Sequence, residues 1–266
     1  MPDLTAWSSN PYSFASTPLW AGIYMLPLIV GFLAAGPVSG WLSDRYGARP
    51  FATGGMLLTA ASFGALMALP ADFSYPVFAL LLLASGIGSG LFTAPNTTAI
   101  MNSVPARQRG AASGMRATFQ NAGFVLSIGL FFSLMIAGLA ARLPGTMYAG
   151  LTANGVPAGT AARLSHLPPV GSLFAAFLGY NPMRELLGPR LLASLGPGHA
   201  RQLTGTTFFP QLMSSPFKQG LVVVFGAALV MSVVAAVASW LRGGHYVHDD
   251  EREAAVSEPV EEELSA

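Results

Sequence analysis

Charge is scarce in this chain, 9% of 266 residues, yet Asp44, Arg45 and Arg49 gather in the stretch GWLSDRYGARP, residues 40–50, between two apolar runs. Groups of these types can hydrogen-bond helix ends and pair with neighbouring helices, which a plain tether cannot do. Asp44 falls near the C-terminal end of a predicted helix, where the macrodipole disfavours an acid, so it requires Arg45, Arg49 or the N-terminal end of another helix as partner. Gly40 suits close approach of helices and Gly47 suits a turn. The plainer alternative is a basic turn with no further role. Covalent and metal chemistry find little support. The chain has no cysteine, which excludes disulfides, thiol chemistry and cysteine metal sites. None of its four histidines forms a ligand pair inside a predicted helix, and His245 and His248 beside Asp249 lie in a polar tail. We therefore expect no catalytic residue, no cofactor and no metal: the chain does not read as an enzyme.

A second group of residues sits inside apolar runs. Gly86, Gly88 and Gly90, with Ala84, Ser85 and Ser89, form small-xxx-small pairs that suit close helix packing. Pro95 follows in the same run and frees backbone carbonyls, so that Asn96 either braces a kink or lines a cavity. In the next run Arg116, Gln120, Gly123 and Ser127 recur on one helical face, with Asn121 alongside. Polar groups in a bilayer face the bundle or water, which leaves Gln120 and Asn121 two roles, cavity lining or interhelical hydrogen bonding. Arg116 lies nearer the helix end and can snorkel. No acidic residue lies inside any of the long runs, so a proton-carrying carboxylate is not supplied by them.

The elements that must position these residues are membrane helices. Hydrophobic residues make up 52% of the chain, and the runs near 19–42, 51–70, 76–103, 111–139 and 220–241 each reach spanning length. They are continuously apolar, not alternating, which excludes a strand barrel. The expected fold is all-α, a polytopic bundle of about five transmembrane helices. We divide it into an outer segment, 1–18; a four-helix region, 19–142; a long extracytoplasmic loop with short helices, 143–217; a last span, 218–242; and an acidic cytoplasmic tail, 243–266. Within the long loop, Leu167–Pro182 carries an apolar stretch too short to span, suited to a re-entrant or interfacial piece. Met183–Leu195 reads as a short amphipathic helix interrupted by Gly188 and Pro189. A net charge of +1 gives no reason to expect nucleic acid.

Arginines set the expected orientation: Arg45 and Arg49, then Arg107, Arg109 and Arg116, lie in or beside connections that read as cytoplasmic, whereas the link around Asp72 has no base. The amino terminus is then outside and the carboxy terminus inside a bacterial inner membrane. No cleavable signal is visible in MPDLTAWSSNPYSF. Five spans with an outer, uncleaved amino terminus lead us to expect the carboxy-terminal part of something longer.

The pattern G-x-L-x-D-R-x-G-x-R at Gly40, Leu42, Asp44, Arg45, Gly47 and Arg49 resembles the loop signature of the major facilitator superfamily. The segment GIGSGLFTAPNTTAIMNSVPARQRGAASGMRATFQNAG, Gly86 to Gly123, is similar to the later helices of the fourteen-helix drug:proton antiporters of the EmrB/QacA type. The resemblance covers residues 17–243 and implies a partial superfamily fold, with Asp44 and its neighbours acting as a conformational latch. It further implies export of lipophilic or cationic small molecules in exchange for protons. The other half of the pathway would come from an amino-terminal half or another copy. A non-transporting membrane scaffold or the remnant of a truncated gene is the alternative from a different class.

Overall fold

The computed structural model describes residues 17–70 and 73–241. Its elements in chain order are α1 (Thr17–Tyr24), α2 (Leu26–Tyr46), α3 (Ala48–Ala68), α4 (Tyr75–Asn102), α5 (Arg109–Ala153), α6 (Ala158–Ser165), α7 (Pro169–Phe177), α8 (Met183–Ser194), α9 (Gly196–Thr204) and α10 (Phe208–Leu241). No strand occurs among the described residues. Among the described residues five helices, α2, α3, α4, α5 and α10, are long and apolar enough to cross a membrane. Residues 1–16 of the expected outer segment, Asp72, Arg242 and the acidic tail with His245 and His248 lie outside the described residues.

Two compact units divide the chain: α1 to α4 with α5 up to Gly123 and α10 from Ala228, and residues 124–227 with the short helices. In the first, α4 packs along both α2 and α3. Small residues make that approach possible. A Cβ on Gly90 would stand 2.8 Å from both the Phe32 carbonyl and the Ala35 side chain, and one on Gly86 would collide with the Leu28 carbonyl. Gly88 is turned instead to α3, where its Cβ would lie 2.6 Å from the Gly55 carbonyl. The α2 side of the seam is Gly31, Ala35, Ser39 and Ser43, all buried and spaced by four. Ser39 Oγ donates to the Gly90 carbonyl at 3.2 Å and to Gly36 at 2.9 Å, tying α2 to α4 through a hydroxyl.

The second unit has a core of a different kind. Leu139, Leu143, Met147 and Leu151 form a stripe along α5, and they cluster with Leu173, Met183, Leu203, Phe209 and Met213. This stripe explains where the helices end. The fourth span was expected to stop near residue 139, with the loop starting at 143, but α5 continues to Ala153. Likewise α10 begins at Phe208, ten residues ahead of the expected 218. Arg142, Pro144 and Pro216 do not break these helices, because the apolar face persists and is covered. The chain leaves α5 only at Asn154 and Gly155, the latter with φ of 80°. At 1.5 Å per residue, α5 with its 45 residues is about 68 Å long, far more than a hydrocarbon core of about 30 Å. Its C-terminal part carries the short helices, packed against Leu139, Leu143, Met147 and Leu151. Within them, α8 bends at Gly188, φ 72°, where the sequence places Gly-Pro. Asn181 binds the α7–α8 link to the end of α9, donating to Leu203 and Gly205 at 2.8 and 2.7 Å.

Candidate functional site

The charged stretch of residues 40–50 was expected to be a connection from Ser43 onward. Most of it is helix: α2 runs through Tyr46 and α3 starts at Ala48, leaving Gly47 as the whole turn. Gly47 adopts φ 87° and ψ 151°, a conformation that a side chain would strain, and its N–H reaches the Ser43 carbonyl at 2.8 Å. Ser43 in turn donates to the Gly40 carbonyl at 2.8 Å. Gly40 itself stands apart from the α2–α4 seam, since a Cβ there would meet nothing within 4 Å. Asp44, Arg45 and Arg49 are all exposed, and Asp44 makes no ion pair with a described residue. The cations bind aromatic faces instead. Arg45 lies 5.8 Å from the ring centre of its neighbour Tyr46, and Arg49 stands 4.4 Å over Trp240, the penultimate residue of α10. At such distances the ring quadrupole attracts the guanidinium, by about 0.5–1 kcal/mol when exposed. Trp240 escaped the sequence reading. A Trp at the end of a last span is an ordinary interfacial residue, and its partner is remote in sequence.

The second group falls on α4 and on the first part of α5. Three hydroxyl residues, Ser89, Thr93 and Thr97, lie one turn apart on α4. Thr93 donates to the Ser89 carbonyl and Thr97 to the Thr93 carbonyl, each at 2.8 Å. Arg116 of α5 then donates from Nη1 to Thr97 Oγ1 at 3.2 Å, while its buried Nε has no hydrogen-bond partner among the described residues. Pro95 is buried inside α4 and Asn96 is half-buried beside it. Pro95 offers no N–H to the Leu91 carbonyl, which leaves an acceptor inside the span. The reading of the sequence singled out Arg116 and Asn96 but not the hydroxyl ladder that joins Arg116 to α4. The ladder's four-residue spacing was visible; its connection to Arg116 required the packing of two helices.

Gln120 and Asn121 form an exposed polar patch on the continuation of α5, with Gly123 also exposed, between the exposed Phe119 and Phe124. The structure thus brings Arg116, Thr97 and Thr93 together and leaves Gln120 and Asn121 presented outward. In the second unit, a groove of about 550 Å³ lies between Arg142 and Thr146 of α5 and Leu212 of α10, lined otherwise by Ala and Gly. Among the described residues no cluster of three His, Asp or Glu could hold a metal ion.

These features agree with what the chain is similar to. The model of the Major Facilitator Superfamily matches residues 5–245. The riboflavin transporter RibZ of Clostridioides difficile is 31% identical over 125 residues, 46% of this chain and 27% of the relative. The methyl viologen resistance protein SmvA of Salmonella typhimurium is 34% identical over 160 residues, 58% of this chain and 32% of its own. The drug efflux pump JefA of Mycobacterium tuberculosis is 27% identical over 228 residues, 85% of this chain and 41% of the relative. The chain thus spans well under half the length of these curated relatives. No solved structure matches it. With a family match over nearly the whole described chain, five membrane-length helices and the Gly40–Arg49 signature at a one-residue helical turn, the chain belongs to the major facilitator superfamily.

Proposed function

We propose that this chain forms the carboxy-terminal part of an inner-membrane exporter of lipophilic or cationic small molecules. The observation that carries the reading is the exposed pair Gln120 and Asn121 on an apolar span, one turn from the Arg116–Thr97 contact. Amides facing hydrocarbon leave their polar groups unsatisfied, so this face belongs against protein or a water-filled path. A second helical bundle, an amino-terminal half or another copy, supplies the opposing wall. The names of relatives such as SmvA and JefA favour drugs as the cargo class. Proton exchange is the coupling this branch suggests, with its acid expected from the other bundle: among the described residues the carboxylates are Asp44, exposed near the end of α2, and Glu185, which lies in α8 outside the spans. The arginines of the α2–α3 turn favour the cytoplasmic face for it, and the Arg49 contact with Trp240 supports a role for the signature in fastening one helix end to another.

The test is transport by the chain together with its second bundle, in vesicles with an imposed pH gradient. Replacing Gln120 and Asn121 by Leu is expected to weaken substrate binding and lower transport at unchanged membrane levels. Trp240→Ala is expected to alter turnover with binding preserved, because it biases a conformation and does not touch cargo. Transport indifferent to the Gln120 and Asn121 changes would remove this face from the pathway. Movement of cargo that ignores the gradient would refute antiport, and no movement of any lipophilic cation would leave a membrane scaffold as the reading.

A further inference from the structure

We propose that the C-terminal end of α7 and the turn after it, Phe174, Phe177, Leu178 and Tyr180, form an interfacial anchor that inserts among anionic phospholipid headgroups. The level of the membrane surface in the second unit follows from its two long helices. Gly138 of α5 and Gly220 of α10 are in register, a Cβ on Gly138 falling 2.8 Å from the Gly220 Cα. Outward from that contact stand Arg142, about one turn along α5, and Lys218, about half a turn along α10, both exposed, and inward of them residues 117–141 and 219–241 contain no charge at all. An uncharged stretch of this length, flanked on both helices by a cation within about one turn of the same contact, sets the boundary between hydrocarbon and headgroups there.

Helix α7 is pinned to that boundary. The Phe177 ring meets Phe217 edge-on, centroids 5.5 Å apart at 84°, and Phe217 directly precedes Lys218. One side of α7 is committed to the core through Ser172 and Leu173. The other side is open: Phe174 is 53% exposed, Phe177 60%, Leu178 65% and Tyr180 46%. Four large side chains left uncovered within seven residues would be costly in water, and they match the apolar face of a helix lying in the interface. Tyr180 has the amphipathic form suited to that depth. Glu185 at the start of α8 raises the phenol above its ordinary range, which keeps the ring's polar tip protonated and neutral.

Charge selects the lipid. From residue 142 to 218 the cations are Arg142, Arg163, Arg184, Arg190, Arg201 and Lys218, against the single acid Glu185. All six are exposed. An excess of exposed cations in the unit that carries this apolar edge is the combination that binds anionic headgroups.

The absence of native cysteine permits a direct depth measurement on the full chain with single spin labels. Labels replace Phe174, Leu178 and, as reference, Ala153 at the end of α5, about 16 Å along the helix beyond Arg142. The protein is reconstituted in vesicles of phosphatidylethanolamine with phosphatidylglycerol, and separately in phosphatidylcholine. At positions 174 and 178 collision with dissolved oxygen is expected to exceed collision with a water-soluble nickel complex, more so with phosphatidylglycerol; at 153 nickel is expected to win in both lipids. Nickel access at 174 and 178 equal to that at 153 would overturn the anchor. Equal depth in the two lipids would overturn its anionic preference. Labels shielded from both reagents would show that protein, a second copy or another part of the transporter, covers this face, and the lipid assignment would fall.

Discussion

The α2–α4 seam and the core of the second unit are both packed helix against helix, yet they are built from opposite residues. The seam uses Gly31, Ala35, Ser39, Gly86 and Gly90, with backbone almost touching backbone and one hydroxyl crossing at 3.2 Å. The second core uses Leu139, Leu143, Met147, Leu151, Phe209 and Met213, with side chains filling the space between. The surroundings explain the difference. Between lipid tails an apolar side chain gains nothing by leaving its solvent, so association relies on close contact and hydrogen bonds. Beyond the bilayer, burying a Leu or Phe removes it from water and contributes roughly 1.5–3 kcal/mol. Along α5, Phe124, Val125 and Leu126 are exposed, whereas Leu139, Leu143, Met147 and Leu151 are buried.

Truncation should hurt the second unit most. Phe209→Ala, at a fully buried position, is expected to cost about 3–5 kcal/mol. Hydrogen exchange would show the loss in residues 158–204 while α2, α3 and α4 stay protected. If α2–α4 were exposed equally, the two regions would not be separate packing units.

Enlargement should hurt the seam. Gly86→Leu adds apolar volume but drives it into the Leu28 carbonyl, which cannot swing aside as a side chain would. A loss of about 3 kcal/mol is expected in detergent unfolding. Gly36→Leu, on α2 where a Cβ would meet nothing within 4 Å, serves as the control and should change little. A Gly86→Leu protein as stable as the original would mean that the seam obeys the rule of the water-exposed core.

Hydrogen bonding should contribute least. Ser39→Ala removes the hydroxyl bridge to Gly90 while keeping the small volume, and is expected to cost about 0.6 kcal/mol. A cost several times larger would make the hydroxyl, and not backbone proximity, the main tie between α2 and α4.

The sequence by itself determined that the chain is a bundle of membrane helices, because uninterrupted apolar runs leave the backbone no partner in lipid except its own carbonyls. It also determined the turn at Gly47, where only glycine accepts the backbone, and the break in α8 at Gly188. The spacing of Gly31, Ala35, Ser39 and Ser43 was equally legible and passed unnoticed, since each residue taken alone is unremarkable in an apolar run. Only the tertiary structure decided that Gly86 and Gly90 face α2 while Gly88 faces α3, because a helix of small residues has several faces that would fit. It also decided where α5 ends. Arg142 and Pro144 look like a boundary until Phe209 and Met213 arrive to cover the stripe beyond them. Finally it decided that Arg49 rests on Trp240 and Arg116 on Thr97. A charge in sequence announces that it needs a partner, but which partner is within reach depends on helices that meet only when the chain has folded.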